Sequence, residues 1–331
     1  MATYKRQRYL LMTTDPVHIG TGGYRLGRVD NSIVRETGTR VPKIPGTSLH
    51  GAARSYAAQL YETPEAAGQT QDKVQEPDKN PVCYTFGYIK RSRDGDEEKT
   101  AAYSGIVNIF DAQVLLFPVR SMAGPVWVAT LGRLKDAGFQ VKKDGQDLGQ
   151  EPDFGEALLT WGRTDALNLG WLMVNVADKV TVTAPDKWRN EEHWKAVVDQ
   201  IVLVQEALFS HVVNSNLEVR TSVAIDSERG TAEDKALFTY EALPRATFLT
   251  AEVVLDDYRS ENGKWLLDKV EKTAKGNPLP EGPWNGPLDV VAAGLRMIEW
   301  LGVGGMGTRG FGRMAIVGEP LERAYGEEVW Q

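Results

Sequence analysis

Three stretches of the 331-residue chain carry side chains with usable chemistry. In Lys43-Ile44-Pro45-Gly46-Thr47-Ser48-Leu49-His50-Gly51-Ala52-Ala53-Arg54, Pro-Gly stops the chain and Thr47 or Ser48 then caps a helix. Its first turn has no acid, so free N–H groups and the positive end of the helix dipole offer an anion site. His50 and Arg54 lie four apart on one face and Lys43 precedes the turn, so three cations can converge on a phosphate. The same residues also suit a plainly capped helix with a solvated basic face.

The second stretch is the glycine loop Gly302-Val303-Gly304-Gly305-Met306-Gly307-Thr308-Arg309-Gly310-Phe311-Gly312-Arg313. A dinucleotide fingerprint follows a strand and opens a helix, whereas this loop follows a helix and opens a strand, so that reading fails. What remains is a loop that lets backbone or phosphate come close, with arginines for charge; a tight glycine corner is the plain alternative. The third is Gly27-Arg28-Val29-Asp30-Asn31-Ser32, an acid among arginines shortly after His18 and its own glycine loop. Asp30 has the chemistry of a general base or metal ligand beside a phosphodiester, though lone aspartates more often cap loops. His18 taken alone suits a structural role, and no Ser-His-Asp pattern or nucleophile elbow is present.

The elements that must position these residues follow from hydrophobic periodicity. Strands are predicted over 9–13, 32–35, 106–117, 247–255 and 312–317, with Pro118 breaking the third. Helices are predicted over 47–60, 126–137, 188–209 and 288–301, the last ending at Gly302. Residues 63–103 read as a polar, irregular insertion. Segments 217–225 and 236–243 form a long-looped hairpin bearing Thr221 and Val223, an arm suited to covering a core, gripping a neighbour or wedging between bases. Strands and helices without βαβ alternation favour an α+β, ferredoxin-like arrangement in one domain spanning 1–331.

Composition bounds the rest. With 42% hydrophobic and 25% charged residues the chain is globular, and its single cysteine, Cys83, excludes a disulfide framework or a cysteine-rich zinc site. The N-terminal apolar run is too short for a signal peptide and no segment is long enough to span a membrane, so a cytoplasmic protein is expected. A net charge of −7 argues at first against nucleic acid, but it divides into +6 over residues 1–60 and −13 over the rest. One basic side and one acidic side are expected.

Taken together, His18-Ile19-Gly20, Val29-Asp30-Asn31-Ser32-Ile33-Val34-Arg35-Glu36, the 42–54 block and Gly302 to Gly312 resemble the RAMP superfamily of CRISPR effector proteins. Asp111-Ala112-Gln113-Val114-Leu115-Leu116-Phe117-Pro118-Val119-Arg120-Ser121, with Gly124 and Trp127-Val128, is similar within it to the backbone subunit of type III-B (Cmr) complexes. The resemblance implies a ferredoxin-like (RRM-like) palm with residues 217–243 as a β-hairpin thumb. It implies copies stacked along a CRISPR RNA beside other subunits of the complex, cutting complementary target RNA at regular intervals with Mg2+ or another divalent cation.

By position it makes Asp30 the cleaving and metal-binding residue, with Glu241 and His18 as weaker candidates. It assigns Lys43, Ser48, His50, Arg54, Arg120, Ser121, Gly304, Gly305, Gly307, Thr308 and Arg309 to the guide backbone, and Thr221 and Val223 to the thumb. His50 departs from the usual lysine and is a weaker, pH-dependent phosphate partner. Two further roles stay open: a non-catalytic guide-holding backbone, and a guide-processing endoribonuclease of the same superfamily.

Overall fold

The computed structural model describes all residues except 1–2, 23–28, 95–96, 224, 226–227, 231–236, 261–264, 328–329 and 331. The expected α+β class forms, built on one mixed sheet of twelve strands. Near one end of it lies the strand Thr3–Thr13, antiparallel to Phe248–Asp257 over ten residue pairs from Thr3↔Asp257 to Met12↔Phe248. Alternate residues of Phe248–Asp257 are buried, the period-2 pattern of a half-covered strand. From there the sheet runs outward through Ala112–Ser121, Gly124–Ala129, Ile201–Leu203, Glu156–Leu159 and Leu172–Lys179 to Leu167–Leu169. Among the described residues, no helix is long and apolar enough to cross a membrane.

The helix Gly46–Leu60 packs against Pro287–Arg296, burying Leu49, Ala53, Ala57 and Ala58. Small residues let the two helices touch backbone to backbone. A side chain at Gly294 would collide with the Ala53 carbonyl, and one at Gly46 with the Ile109 carbonyl.

Several sequence readings are corrected. The stretch 188–209 is not one helix but two short ones, Asp186–Arg189 and Glu192–Lys195, then a strand, Ile201–Leu203, and a helix, Glu206–Ser215. Its apolar residues match helical spacing, yet Ile201, Val202 and Leu203 are fully buried between two strands, where β-branched side chains fit a pleated surface. Likewise 126–137 divides into the strand Gly124–Ala129 and the helix Leu131–Asp136, capped by the Thr130 hydroxyl.

Pro118 does not break its strand. It pairs with Trp127, and the pairing with Phe248–Asp257 has already ended at Leu116, so the missing N–H costs little there. Residues 63–103 are not irregular: they hold three 3-10 turns, the wholly buried helix Pro81–Phe86 and the hairpin Gly87–Asp94 with Glu97–Ser104. A final strand, Leu321–Ala324, went unforeseen and pairs with Thr3–Thr13.

Candidate functional site

The two glycine loops, almost 300 residues apart, lie against each other. Gly305 N–H donates to the His18 carbonyl at 3.0 Å and Gly312 N–H to the Pro16 carbonyl at 2.9 Å. Gly304, at φ +88°, runs so close to the first loop that an added Cβ would lie 2.5 Å from the His18 carbonyl oxygen. The glycines at 302, 304 and 312 therefore serve backbone contact, each with positive φ. Gly307 instead faces open space at the start of the turn Gly307–Arg309, which leaves Thr308 and Arg309 exposed. Arg313 is paired with Asp15, whereas the Arg309 guanidinium lies 5.4 Å from the Phe238 ring centre.

The hairpin forms as expected from Glu218–Ser222 and Phe238–Ala242 in the register Thr221↔Thr239; its turn lies largely outside the described residues. Thr221 and Val223 are exposed along it, with Val219, Ile225 and Leu237. The Asp30 segment meets its open edge through a single parallel bridge, Asn31 to Tyr240. Asn31 N–H donates to the Thr239 carbonyl and Glu241 N–H to the Asn31 carbonyl, both at 3.0 Å. Asp30 is fixed here: its Oδ2 accepts from Thr239 N–H at 2.7 Å and from the Thr239 hydroxyl at 2.9 Å. The backbone N–H and then the hydroxyl of Thr239 hold this exposed carboxyl below the usual carboxylate range.

Glu241 and His18 lie beneath Asp30 and are committed elsewhere. Glu241 Oε2 pairs with Arg35 Nη2 at 2.7 Å, and both side chains are nearly buried. Arg35 is further held by Asn214 and by the Ile33 carbonyl. His18 is buried, edge-on to Tyr240, with Nδ1 2.6 Å from the Glu241 carbonyl oxygen, so Nδ1 carries the hydrogen. Both contacts support the base of the hairpin.

At the helix 46–60 the open anion site is corrected. No Thr47 or Ser48 side chain caps the helix, whose N-cap is Pro45. Asp111, 65 residues on, supplies the anion: Oδ1 accepts from Gly46 N–H at 2.8 Å and Oδ2 from Lys43 Nζ at 2.5 Å. Burial pushes the Asp111 carboxyl up, but the Lys43 and Gly46 bonds outweigh it and leave it below its ordinary range.

Arg54 turns inward, donating to the Ala66 and Gly87 carbonyls at 2.8 Å, and so ties down the 66–87 segment. His50 sits edge-on to Phe86 at 5.1 Å; burial and then the Arg54 charge lower its pKa, leaving it neutral at pH 7. The expected convergence of three cations therefore does not form. Ser121 closes the 121–124 turn, its hydroxyl donating to the Gly124 carbonyl at 2.6 Å, while Arg120 is exposed beside it.

The structure does bring Ser48, on the exposed side of its helix, to Gly304 and Gly307. They share a groove of about 400 Å³ whose floor includes Gly51, Tyr56 and Phe311. Thr239, Arg35 and Asp111, which sequence reasoning did not select, are the residues that hold Asp30, Glu241 and the helix mouth. Each acts across at least 65 residues, beyond the reach of local pattern.

The described residues form no cage that would hold a divalent ion by protein ligands alone; a single carboxylate such as Asp30 is the kind of ligand Mg2+ shares with substrate phosphates. Among the described residues no three His, Cys, Asp or Glu side chains cluster. Asp30 Oδ2 already accepts two hydrogen bonds, whereas Mg2+ takes about six oxygen ligands.

Comparisons with known proteins agree with this layout. The protein named CRISPR system Cmr endoribonuclease Cmr4 from Pyrococcus furiosus is 27% identical over 286 residues, 82% of this chain and 89% of its own length. The crystal structure of oligomeric Cmr4 from the same organism superposes with TM-score 0.54 at 19% identity, covering 99% of this chain and all of that one. A chain of the type III-B Cmr-beta complex bound to cognate target RNA, solved by cryo-electron microscopy, gives TM-score 0.57 at 14% identity over 94% and 96% of the two chains. A sequence profile of the RAMP superfamily matches residues 10–315, a span that takes in both glycine loops, the helix mouth, Asp30 and the hairpin. By that match the chain belongs to the RAMP superfamily.

Proposed function

We propose that this chain is the repeating subunit of a cytoplasmic type III-B (Cmr) effector, laid in copies along a CRISPR RNA beside other subunits and cutting complementary target RNA. One observation carries the catalytic part: an exposed, ionised carboxylate, Asp30, fixed by Thr239 at the edge of a hairpin with exposed apolar residues. The relative's name, an endoribonuclease of a Cmr system, supports the reaction class. The Ser48–Gly307 groove, together with Arg309 and with Lys43 ahead of the helix, is the surface we assign to the guide backbone. The 217–243 hairpin is the thumb, with Thr221 and Val223 against bases.

An RNA strand contains its own nucleophile. In-line attack of a 2′-hydroxyl forms a 2′-O–P bond and breaks the P–O5′ bond, leaving a cyclic 2′,3′-phosphate and a 5′-hydroxyl. The protein's share is to hold that geometry and accept the 2′-proton, for which Asp30 Oδ1 remains. Water supplies the proton that the leaving oxygen takes up. The divalent cation implied by the resemblance enters as a companion of the RNA phosphates, and no step here runs through it.

The test is a reconstituted complex incubated with complementary RNA. Asp30→Ala should keep assembly and target binding and lose the regular product ladder; a ladder of unchanged intensity would overturn the assignment. The guide-holding, non-catalytic role draws on the same Asp30–Thr239 bonds as a structural clip. It predicts instead that Asp30→Ala loosens the hairpin while the products stay the same.

A further inference from the structure

The opposite side of the Asp30 segment faces a second cleft, of about 910 Å³, within the usual 300–1,000 Å³ span of small-ligand sites. Ser32 and Arg35 form one wall, His211 and Asn214 of the helix Glu206–Ser215 the other, and Arg40 and Trp171 the rim. Among the described residues Glu241 is the single acid lining it, and it is spent on Arg35. Arg40 and His211 are exposed at its mouth, where the Arg40 guanidinium supplies a cation.

Two of its parts are held with unusual care. Trp171 is 72% exposed, at the tip of the hairpin joining Leu167–Leu169 to Leu172–Lys179. That tip is fixed: Gly170, at φ +66°, abuts the Asn216 side chain, and its N–H donates to the Arg120 carbonyl at 3.0 Å. Arg40 adopts φ +63°, an uncommon conformation for a residue with a side chain. The helix holds it there, Ser210 Oγ donating to the Thr39 carbonyl at 2.6 Å and Asn214 Nδ2 to the Arg40 carbonyl at 3.1 Å. A large ring left in water and an arginine held in a strained turn, across one cleft, match the two needs of a nucleotide: a surface to stack on and a cation for its phosphate.

We propose that this cleft binds one unpaired ribonucleotide of the RNA strand passing Asp30, its base stacked on Trp171 and its phosphate facing Arg40 and His211. The proposal rests on the reading of this side of the molecule as RNA-binding. A base within a duplex has both faces covered, so only an unstacked nucleotide can meet the indole. Polar groups such as Ser32 stand among Val29, Ile33 and Val34 in the lining, a mix that suits a base and its sugar better than a wholly apolar protein segment.

The experiment measures binding of a fluorescein-labelled ten-nucleotide oligouridylate to the full chain at low salt, with light scattering on the same samples. Trp171→Ala should weaken binding roughly tenfold and Trp171→Phe less than threefold, with unchanged melting temperature. Arg40→Gln should weaken it and flatten its salt dependence. A 5-iodouridine probe should cross-link to the peptide containing Trp171. Wild-type affinity in Trp171→Ala, or an altered oligomeric state with unaltered RNA affinity, would sink the subsite, the latter marking Trp171 as a protein contact. Asp30→Ala cleavage is read separately: persistent cutting beside a Trp171→Ala binding defect removes the catalytic assignment and leaves this subsite standing.

Discussion

Asp30 and Thr239, 209 residues apart, hold each other through three hydrogen bonds: the Thr239 N–H and hydroxyl donate to Asp30 Oδ2, and Asp30 N–H donates back to the hydroxyl. The hydroxyl thus serves both ends of one residue. Its loss should move the carboxyl and its backbone together.

Thr239→Val should raise the Asp30 pKa toward the ordinary carboxylate value of about 4. The folded pKa is depressed, so the stability this carboxylate lends is present above its unfolded pKa and lost as pH falls through the lower folded value. Carbon-detected NMR titration of the carboxyl should show the upward shift. Cleavage by the assembled complex should fall about tenfold or more through lost positioning, with Thr239→Ser close to wild type. An unmoved titration would contradict the hydrogen-bonded arrangement.

Glu241 and Arg35 form a nearly buried ion pair, so Glu241→Ala leaves a buried guanidinium without its counter-charge. The cost should be about 3 kcal/mol, read as a lower urea midpoint at unchanged slope. Arg35→Ala with Glu241→Ala together should cost less than the two single losses summed. If Glu241→Ala abolished cleavage at full stability, the residue would belong to the chemistry after all.

The glycine loop separates into two kinds of position. Gly304→Ala forces a side chain into the His18 carbonyl at a left-handed φ and should destabilise by about 2–3 kcal/mol. Gly307→Ala meets nothing within 4 Å and should melt like wild type. If Gly307 faces guide RNA, its Ala variant should still bind the guide more weakly; equal melting of both variants would refute the contact between the loops.

Asp111→Asn removes the chain's own anion from the helix mouth and frees Lys43. Guide binding should then gain about one unit of salt dependence, as one more phosphate is neutralised. Arg309→Gln should lose about one unit by the same measure. An unchanged slope in Asp111→Asn would mean that the mouth does not face RNA.

Where a signal was local, the sequence carried it. The helix after Pro45-Gly46, the hairpin around 218–242 and the strand ending in Thr13 lie close to where pattern put them. The Ile201–Leu203 strand was missed because its neighbours on both sides are helical and a three-residue apolar run fits either period. Asp30 was visible as a lone acid among arginines, but what makes it a poised carboxylate is Thr239, which no spacing connects to it. The cations at 50 and 54 were equally visible; Phe86 and the carbonyls of 66 and 87, which turn them inward, were not.

The backbone contact between Gly294 and Ala53 has a mechanical consequence. Two helices seated without intervening side chains have no rotamers to repack, so they cannot slide in small steps. One of them begins at the helix mouth and the other runs on, through a short helix, into the glycine loop. The groove between mouth and loop is therefore a caliper of fixed gap. A polymer gripped by successive copies of such a caliper is divided at intervals set by the thickness of the subunit, whatever letters the polymer carries.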